Sequence, residues 1–80
     1  MVRTNELVAL RKRKKKTQRD CAAALNISGN SYQRKETGIS DFTTDEVVKL
    51  CEYLEVNSPR YATYIFLPEI SQNWDEENVV

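Results

Sequence analysis

The chain contains no histidine, and its two cysteines stand far apart in the sequence. Without histidine, and with acidic residues dispersed along the chain, no pair of side chains suggests a nucleophile with its base. Cys21 and Cys51 are not in CxxC spacing, so a structural zinc site is not expected. We interpret both as small buried apolar residues, with a disulfide as the less favoured alternative. The sequence therefore predicts a protein that is not an enzyme and uses no metal or cofactor.

Long apolar runs are missing as well. The longest runs only from Tyr64 to Leu67, and no N-terminal stretch has the length of a signal peptide. We therefore expect no membrane partner and a cytoplasmic location. Eighty residues, of which 40% are hydrophobic and 30% charged, suit one small folded domain with a modest core. Such a chain has little room for a sensor, so no small-molecule ligand is expected.

The formal net charge is zero, but the charges are separated along the chain. Residues 1–38 contain ten Lys and Arg against three Asp and Glu, whereas residues 39–80 contain two against nine. Six consecutive cations, RKRKKK, occupy residues 11–16. Such a run alone is equally consistent with a solvated arm. The separation nevertheless indicates one surface that attracts a polyanion and another that faces away from it.

Apolar spacing and capping residues predict five helices. The first covers residues 5–15, with Thr4 as its N-cap. The second covers residues 17–25, where Thr17 opens the helix and Asp20 follows at capping-box spacing. The third covers residues 29–38, between Ser28 as N-cap and Gly38 at the C-terminal end.

Thr44 is predicted to be the N-cap of a fourth helix, which presents apolar residues at i, i+3, i+4 and i+7: Val47, Leu50, Cys51 and Leu54. Ser58 and Pro59 open a short fifth helix that Pro68 ends. Residues 1–67 are therefore predicted to form one all-α domain. Residues 68–80 are predicted to form an acidic tail, with Trp74 as a candidate for docking onto the domain.

The second and third helices, joined by the short turn Asn26-Ile27-Ser28, have the arrangement of a helix-turn-helix DNA reader. Over residues 5–67 the chain resembles the lambda-repressor/Cro-like, XRE-type, helix-turn-helix domains. The resemblance lies in LRKRKKKTQRDCAAALNIS, YQRKETG and VVKLCEYLEV, with Thr17-Gln18, Ala22, Leu25, Ile27-Ser28, Glu36, Gly38 and Leu54 at the family's spacings. KETG followed by DFTTDE and YIF looks most like short regulators from phages and mobile elements of Gram-positive bacteria.

Three positions depart from the family pattern. Lys16 stands where the family usually has a core leucine, and Lys35 where it has a small apolar residue. Lysine stems can cover apolar surface while the ammonium reaches water, so neither excludes the fold. Glu55 stands where the family usually has glycine, which argues against a left-handed helix cap there.

The resemblance implies a compact lambda-repressor-like domain whose third helix enters the major groove of double-stranded DNA. The implied base-reading residues are Gly29, Asn30, Gln33 and Arg34. The implied contacts to the DNA backbone are Gln18, Arg13, Lys14, Lys15, Lys16, Thr17, Ser28 and Ser31. The resemblance also implies a structural ion pair between Arg11 and Glu36. The alternative for the third helix is an ordinary polar, solvated face.

These features favour a sequence-specific DNA-binding transcriptional regulator of the repressor or Cro type. The alternative is a helix-turn-helix module that docks onto another regulator or a toxin, as an antirepressor, repressor modulator or antitoxin-like partner. Large apolar residues near the end of the fifth helix predict a homodimer. We expect Phe66 in the monomer core and place Tyr61, Tyr64, Ile65 and Leu67 in the interface. In the competing arrangement, Ile70 and Trp74 cover the helix within one chain.

Overall fold

The computed structural model describes residues 1–67, and within this range it contains five α-helices and no β-strand. The helices span Thr4–Arg13 (α1), Gln18–Leu25 (α2), Gly29–Glu36 (α3), Thr44–Tyr53 (α4) and Pro59–Phe66 (α5). The prediction of an all-α, five-helix fold is confirmed. The tail predicted over residues 68–80, including Trp74, lies outside the described residues. None of these helices has the length and hydropathy needed to cross a bilayer.

Hydroxyl side chains cap the N-termini of four helices. Thr17, Ser28 and Ser58 cap α2, α3 and α5, as the sequence predicts. The cap of α4 is Thr43 rather than Thr44, because Thr43 exchanges two hydrogen bonds with Glu46, three residues later.

The predicted cap of α1 is wrong. Arg3 occupies the N-cap position and makes no side-chain capping bond. Thr4 lies inside the helix, and its hydroxyl donates to the backbone carbonyl of Glu36 at 2.8 Å. The threonine therefore fastens the start of α1 to the end of α3.

Four helices end in a left-handed residue, and only one of these residues is glycine. Gly38 has φ +87° after α3, and a Cβ there would lie 3.2 Å from the Met1 side chain. Lys15, Asn26 and Glu55 have φ of 60°, 57° and 60° after α1, α2 and α4. The expectation against a left-handed cap at Glu55 is therefore wrong. At each end, two backbone amides bond to carbonyls of the last turn, as in a Schellman motif.

The core draws on all five helices. Its fully or almost fully buried apolar members are Leu7, Leu10, Cys21, Ala22, Leu25, Tyr32, Leu50, Leu54, Ile65 and Phe66. Phe42, in the loop between α3 and α4, contacts the rings of Tyr32 and Phe66 edge-on, with centroids 6.1 and 5.3 Å away. Both cysteines are free thiols, Cys21 buried and Cys51 half-buried. Burial raises the pKa of both thiols.

The two lysines that depart from the resembled pattern, Lys16 and Lys35, each contact a neighbouring residue. The Lys16 ammonium lies 4.9 Å from the centre of the Tyr53 ring, so the lysine covers α4 through a cation–π contact. Lys35 Nζ donates to Glu46 Oε1 at 2.7 Å and to the Asp41 carbonyl at 3.1 Å. Lys35 thereby ties α3 to the start of α4.

Helices α1 and α5 run antiparallel. At one end the Arg3 amide donates to the Ile65 carbonyl at 2.7 Å, and the Arg3 guanidinium lies over the Tyr64 ring. Towards the other end, Arg13 Nη2 donates to the Tyr61 hydroxyl at 3.2 Å. The C-terminal end of α5 therefore lies beside the N-terminal end of α1.

Candidate nucleic-acid interface

The unit formed by α2, its turn and α3 is built from short-range signals and a shared core. Asn26 turns the chain in the left-handed conformation, and Ser28 then starts α3. Ala22 and Leu25 from α2 pack in the same cluster as Tyr32 from α3. Two consecutive helices with a short turn and a common apolar contact form the helix-turn-helix arrangement.

Helix α3 is divided into a buried and an exposed face. Tyr32 and Glu36, four residues apart, are 0% and 1% exposed. Burial raises the pKa of Tyr32, so the phenol stays neutral in the core. The exposed face carries the four predicted base-reading residues, Gly29, Asn30, Gln33 and Arg34. The side chains of Asn30, Gln33 and Arg34 have no hydrogen bond or ion pair within residues 1–67, so their polar groups remain available to a ligand.

Gly29 has no packing role within residues 1–67. A Cβ built at this residue would meet no atom within 4 Å. The residue is the first of α3 and lies next to Asn30 on the exposed face. The missing side chain therefore leaves room for close approach of a ligand to the helix backbone.

A buried carboxylate fixes the end of α3 to the rest of the fold. Glu36 Oε2 accepts from Arg11 Nε at 2.9 Å, and Oε1 accepts from Arg11 Nη2 at 3.2 Å and Gln18 Nε2 at 2.9 Å. Arg11 Nη1 also donates to the Lys16 carbonyl at 3.0 Å. The expected ion pair is thus present as a bidentate contact. Together with the Thr4 hydroxyl, it holds α3 from both α1 and α2.

The protonation of this pair follows from its contacts. Burial acts to raise the pKa of Glu36, but the hydrogen bonds from Arg11 and Gln18 outweigh it and leave the pKa below its usual value. Burial acts to lower the pKa of Arg11, and its bonds to Glu36 outweigh this and raise the pKa. Both groups are therefore charged at neutral pH.

The start of α2 presents polar groups beside this network. Gln18 is half-buried, and its amide nitrogen donates a hydrogen bond to Glu36. The sequence did not predict this structural contact. Thr17 Oγ1 accepts from the Asp20 amide and Ser28 Oγ from the Ser31 amide. The hydrogen bond from the Thr17 amide has the largest share in lowering the pKa of Asp20. Both cap hydroxyls keep their hydrogens for donation, and the first amides of α2 have no intrahelical acceptor.

The basic block of residues 11–16 does not act as one surface. Arg11 is buried, Arg13 bonds to Tyr61, and Lys14 lies half-buried 4.0 Å from Glu55. Lys16 rests on Tyr53. Within residues 1–67, the exposed cations whose side chains make no hydrogen bond or ion pair include Lys12, Lys15, Arg19 and Arg34. Lys12 and Arg19 were not among the predicted contacts. The helical pattern places both residues at exposed positions, which could have suggested them as DNA contacts.

One predicted interface residue is placed wrongly. Ile65 is 0% exposed and belongs to the core, because α5 turns this side of the helix onto α1. Phe66 is also in the core, as expected. Tyr61 and Tyr64 are half-buried, and Leu67 is 44% exposed. Any partner of α5 therefore meets Leu67 and the tyrosines rather than Ile65.

Within residues 1–67, no group of three or more His, Cys, Asp or Glu side chains is placed to hold a metal ion.

Comparison with known proteins agrees with the helix-turn-helix geometry. A family model described as a helix-turn-helix domain matches residues 5–60, which include α2, its turn and α3. Neither the curated proteins nor the solved structures provide a match. Since the family model covers more than half of the chain, this protein belongs to the helix-turn-helix domain family.

Proposed function

We propose that this protein is a sequence-specific DNA-binding transcriptional regulator of the XRE, repressor or Cro, type, carried by a phage or mobile element of a Gram-positive bacterium. The observation that supports this proposal most is the division of α3. Its buried face is fastened to α1 and α2 through Glu36, whereas its exposed face holds three polar side chains without partners in residues 1–67. A rigidly held helix with free polar side chains suits insertion into the major groove.

The chemistry of the exposed face suits direct recognition of base edges. The amides of Asn30 and Gln33 can each donate to and accept from an adenine edge, and Arg34 can donate twice to a guanine. Gly29 lets the helix start approach the bases closely. In this arrangement, the Thr17 and Ser28 hydroxyls and the first amides of α2 contact phosphates on either side.

The test is a titration of the protein with the DNA that flanks its own gene and with random duplex of the same length. We expect Gln33→Ala to weaken binding to the specific site by about 1–3 kcal/mol and to leave random DNA nearly unaffected. Thr37→Ala is the matched control, because Thr37 is also exposed but its hydroxyl bonds within the helix to the Gln33 and Arg34 carbonyls. Equal losses on both duplexes would make Gln33 a phosphate contact and contradict base reading.

The exposed cations should add affinity without sequence information. Replacing Lys12 and Lys15 with glutamine should flatten the dependence of log K on log salt by about 0.9 for each phosphate that is no longer neutralised. The change should be the same on specific and random DNA. An unaltered slope would mean that this part of the block does not face DNA.

We further propose that the protein binds as a homodimer through α5. Leu67 is one of the exposed large apolar residues, and the half-buried Tyr61 and Tyr64 precede it at three-residue spacing. Paired domains would place two α3 helices in successive major grooves about 34 Å apart. Sedimentation over a hundredfold concentration range should show a dimer that Leu67→Asp dissociates. A monomer at every concentration would refute a dimer formed without DNA.

A second candidate function is a protein-binding module that uses the same fold. It is favoured by Gly29, which supplies no side chain at the start of the reading face. In that case no duplex would be preferred in the titration, and Gln33→Ala would leave DNA binding unchanged. The same experiment therefore decides between the two functions.

A further inference from the structure

Tyr32 has a buried hydroxyl group for which the fold shows no hydrogen bond. The residue is 0% exposed, and in the part of the chain that the structure describes, its hydroxyl is the one buried side-chain oxygen or nitrogen without a partner. A buried hydroxyl that makes no hydrogen bond destabilises a fold, and such groups are rare in folded proteins. We therefore searched the neighbouring side chains for an acceptor.

Glu36 has an acceptor position that no other donor uses. It follows Tyr32 by one turn on the buried face of α3. A carboxylate offers about four acceptor positions, two on each oxygen. Arg11 Nη2 and Gln18 Nε2 both donate to Oε1, whereas Arg11 Nε is the one donor to Oε2 within residues 1–67. The buried cluster thus contains one unused acceptor position and one unused donor.

Two polar side chains, Glu36 and Cys21, act on the Tyr32 phenol. Burial has the largest share in raising the pKa of the phenol, and the Glu36 carboxylate and the Cys21 thiol raise it further. Burial acts to raise the pKa of Glu36, and Tyr32 is among the donors that act to lower it. Sulfur is a weak acceptor, whereas hydrogen bonds to a charged group are about twice as strong as those between neutral groups. The carboxylate is therefore the better acceptor for the single hydrogen of the phenol.

We propose that the Tyr32 hydroxyl donates to Glu36 Oε2 as the fourth hydrogen bond of this carboxylate. The bond holds the carboxylate in the orientation that the Arg11 guanidinium and the Gln18 amide require, so Tyr32 is a positioning residue for α3. Because Tyr32 is fully buried, it cannot contact DNA itself. Its effect on base reading passes through Glu36 and rests on the proposed function, whereas the hydrogen bond does not.

The first experiment measures the bond without DNA, by urea denaturation at several pH values from 7 to 3.5. Tyr32→Phe removes the hydroxyl and keeps the ring. At pH 7 it should lower the folding equilibrium constant by about tenfold, because the bond is made to a charged acceptor. Folding lowers the pKa of Glu36, and without the hydroxyl this pKa lies closer to its unfolded value of about 4.3. The variant should therefore lose less stability on acidification, and its difference from the parent should shrink below about pH 4.3.

Two controls separate this bond from the alternatives. Tyr53→Phe removes a hydroxyl that makes no hydrogen bond within residues 1–67, and it should leave stability unchanged at every pH. In a Cys21→Ala background, Tyr32→Phe should cause the same loss as in the parent. A loss that disappears in this background would mean that the hydroxyl bonds to sulfur, and it would overturn the proposal. A gain in stability, or a loss that does not change with pH, would overturn it as well.

The second experiment tests the positioning role with the DNA that flanks the gene and with random duplex at pH 7. Tyr32→Phe should weaken binding to the specific site by about threefold, which is less than the loss of a whole bidentate contact. Binding to random duplex depends on charge and should not change. Tyr53→Phe should bind both duplexes like the parent.

The outcomes of the two experiments are distinguishable. Specific binding by Tyr32→Phe that equals that of the parent, or equal losses on both duplexes, would overturn the positioning role. A parent protein that prefers neither duplex would overturn the proposed function and the positioning role together. In each case the urea measurements still decide whether the hydroxyl bonds to Glu36.

Discussion

Breaking the Arg11–Glu36 pair should be among the most damaging changes that the fold can suffer. Arg11 is 8% exposed and Glu36 1%. Replacing Arg11 with Met leaves a buried carboxylate with one remaining side-chain bond, from Gln18. Replacing Glu36 with Leu leaves a guanidinium whose remaining partner is the Lys16 carbonyl. Removing one partner of a buried pair destabilises proteins by about 3–5 kcal/mol, because the other charge stays desolvated.

The size of this loss is large compared with the stability of the domain. At about 0.05–0.15 kcal/mol per residue, a domain of this size is stable by only about 3–10 kcal/mol. Each single variant should therefore lose roughly a third or more of the domain's stability. The double variant, with two apolar side chains of similar volume and no buried charge, should recover most of the loss.

Urea denaturation followed by circular dichroism, arranged as a double-mutant cycle, measures this coupling. Gln18→Leu is the matched control: it removes one bond to Glu36 but keeps the ion pair, so it should lose only about 1–2 kcal/mol. Where a single variant is unfolded in buffer, trimethylamine N-oxide extends the measurable range. A double variant whose loss equals the sum of the single losses would refute the reasoning, since the two charges would then not depend on each other.

Three further predictions concern stability. The pKa of Glu36 and that of Glu46 are both lowered by folding, so their stabilisation is present above the unfolded value of about 4.3 and is lost as pH falls through the folded value. In thermal melts from pH 7 to 3, the melting temperature should fall below about pH 4, and Glu36→Gln should make this fall shallower. Parallel pH curves for the two proteins would contradict the prediction. Glu55→Gly should stabilise the fold by about 0.5–1 kcal/mol, because Glu55 has φ 60°, a conformation that glycine adopts without strain. A lower urea midpoint would mean that the contacts of the Glu55 side chain outweigh this gain. Lys35→Met should lower the free energy of unfolding by about 1–2 kcal/mol in the same assay, and the double variant Lys35→Met/Glu46→Gln should lower it by less. Equal losses in the two variants would mean that the ion pair contributes nothing.

Local signals predicted three of the four hydroxyl caps correctly. The caps Thr17, Ser28 and Ser58 were predictable because each hydroxyl bonds an amide three residues later. The same rule would have placed the α4 cap at Thr43, since Thr43 and Glu46, and not Thr44, have capping-box spacing. Of the two adjacent threonines, Thr43 is therefore the one that the local spacing selects as the cap.

Interactions between distant segments were not predictable in the same way. The bond from the Thr4 hydroxyl to the Glu36 carbonyl joins residues 32 apart in sequence, and no local pattern predicts it. Ile65 looked suitable for an interface because α5 is apolar on several sides, and its position against α1 decides which side is buried. The left-handed Glu55 was unexpected because glycine is preferred at such a position, although the backbone amides of Glu55 and Val56 close the end of α4 there.

The predicted reading face was identified from the resemblance, and its exposure in the fold is consistent with that interpretation. What the sequence could not supply is the way the face is supported. Gln18 is predicted to contact DNA, and in the fold its amide nitrogen also donates to Glu36. The sequence could not reveal this second contact, because it depends on a neighbour that only the fold brings close.

The separation of α3 into two faces has a consequence for how such a protein can change. Asn30, Gln33 and Arg34 contribute nothing to the core, and Gly29 faces open space. Mutations at these four positions are therefore nearly free of selection for folding, while Tyr32 and Glu36 are strongly constrained. Under the proposed function, a lineage can therefore drift to a new preferred DNA sequence through folded intermediates. A combinatorial library confined to these positions should yield mostly folded members.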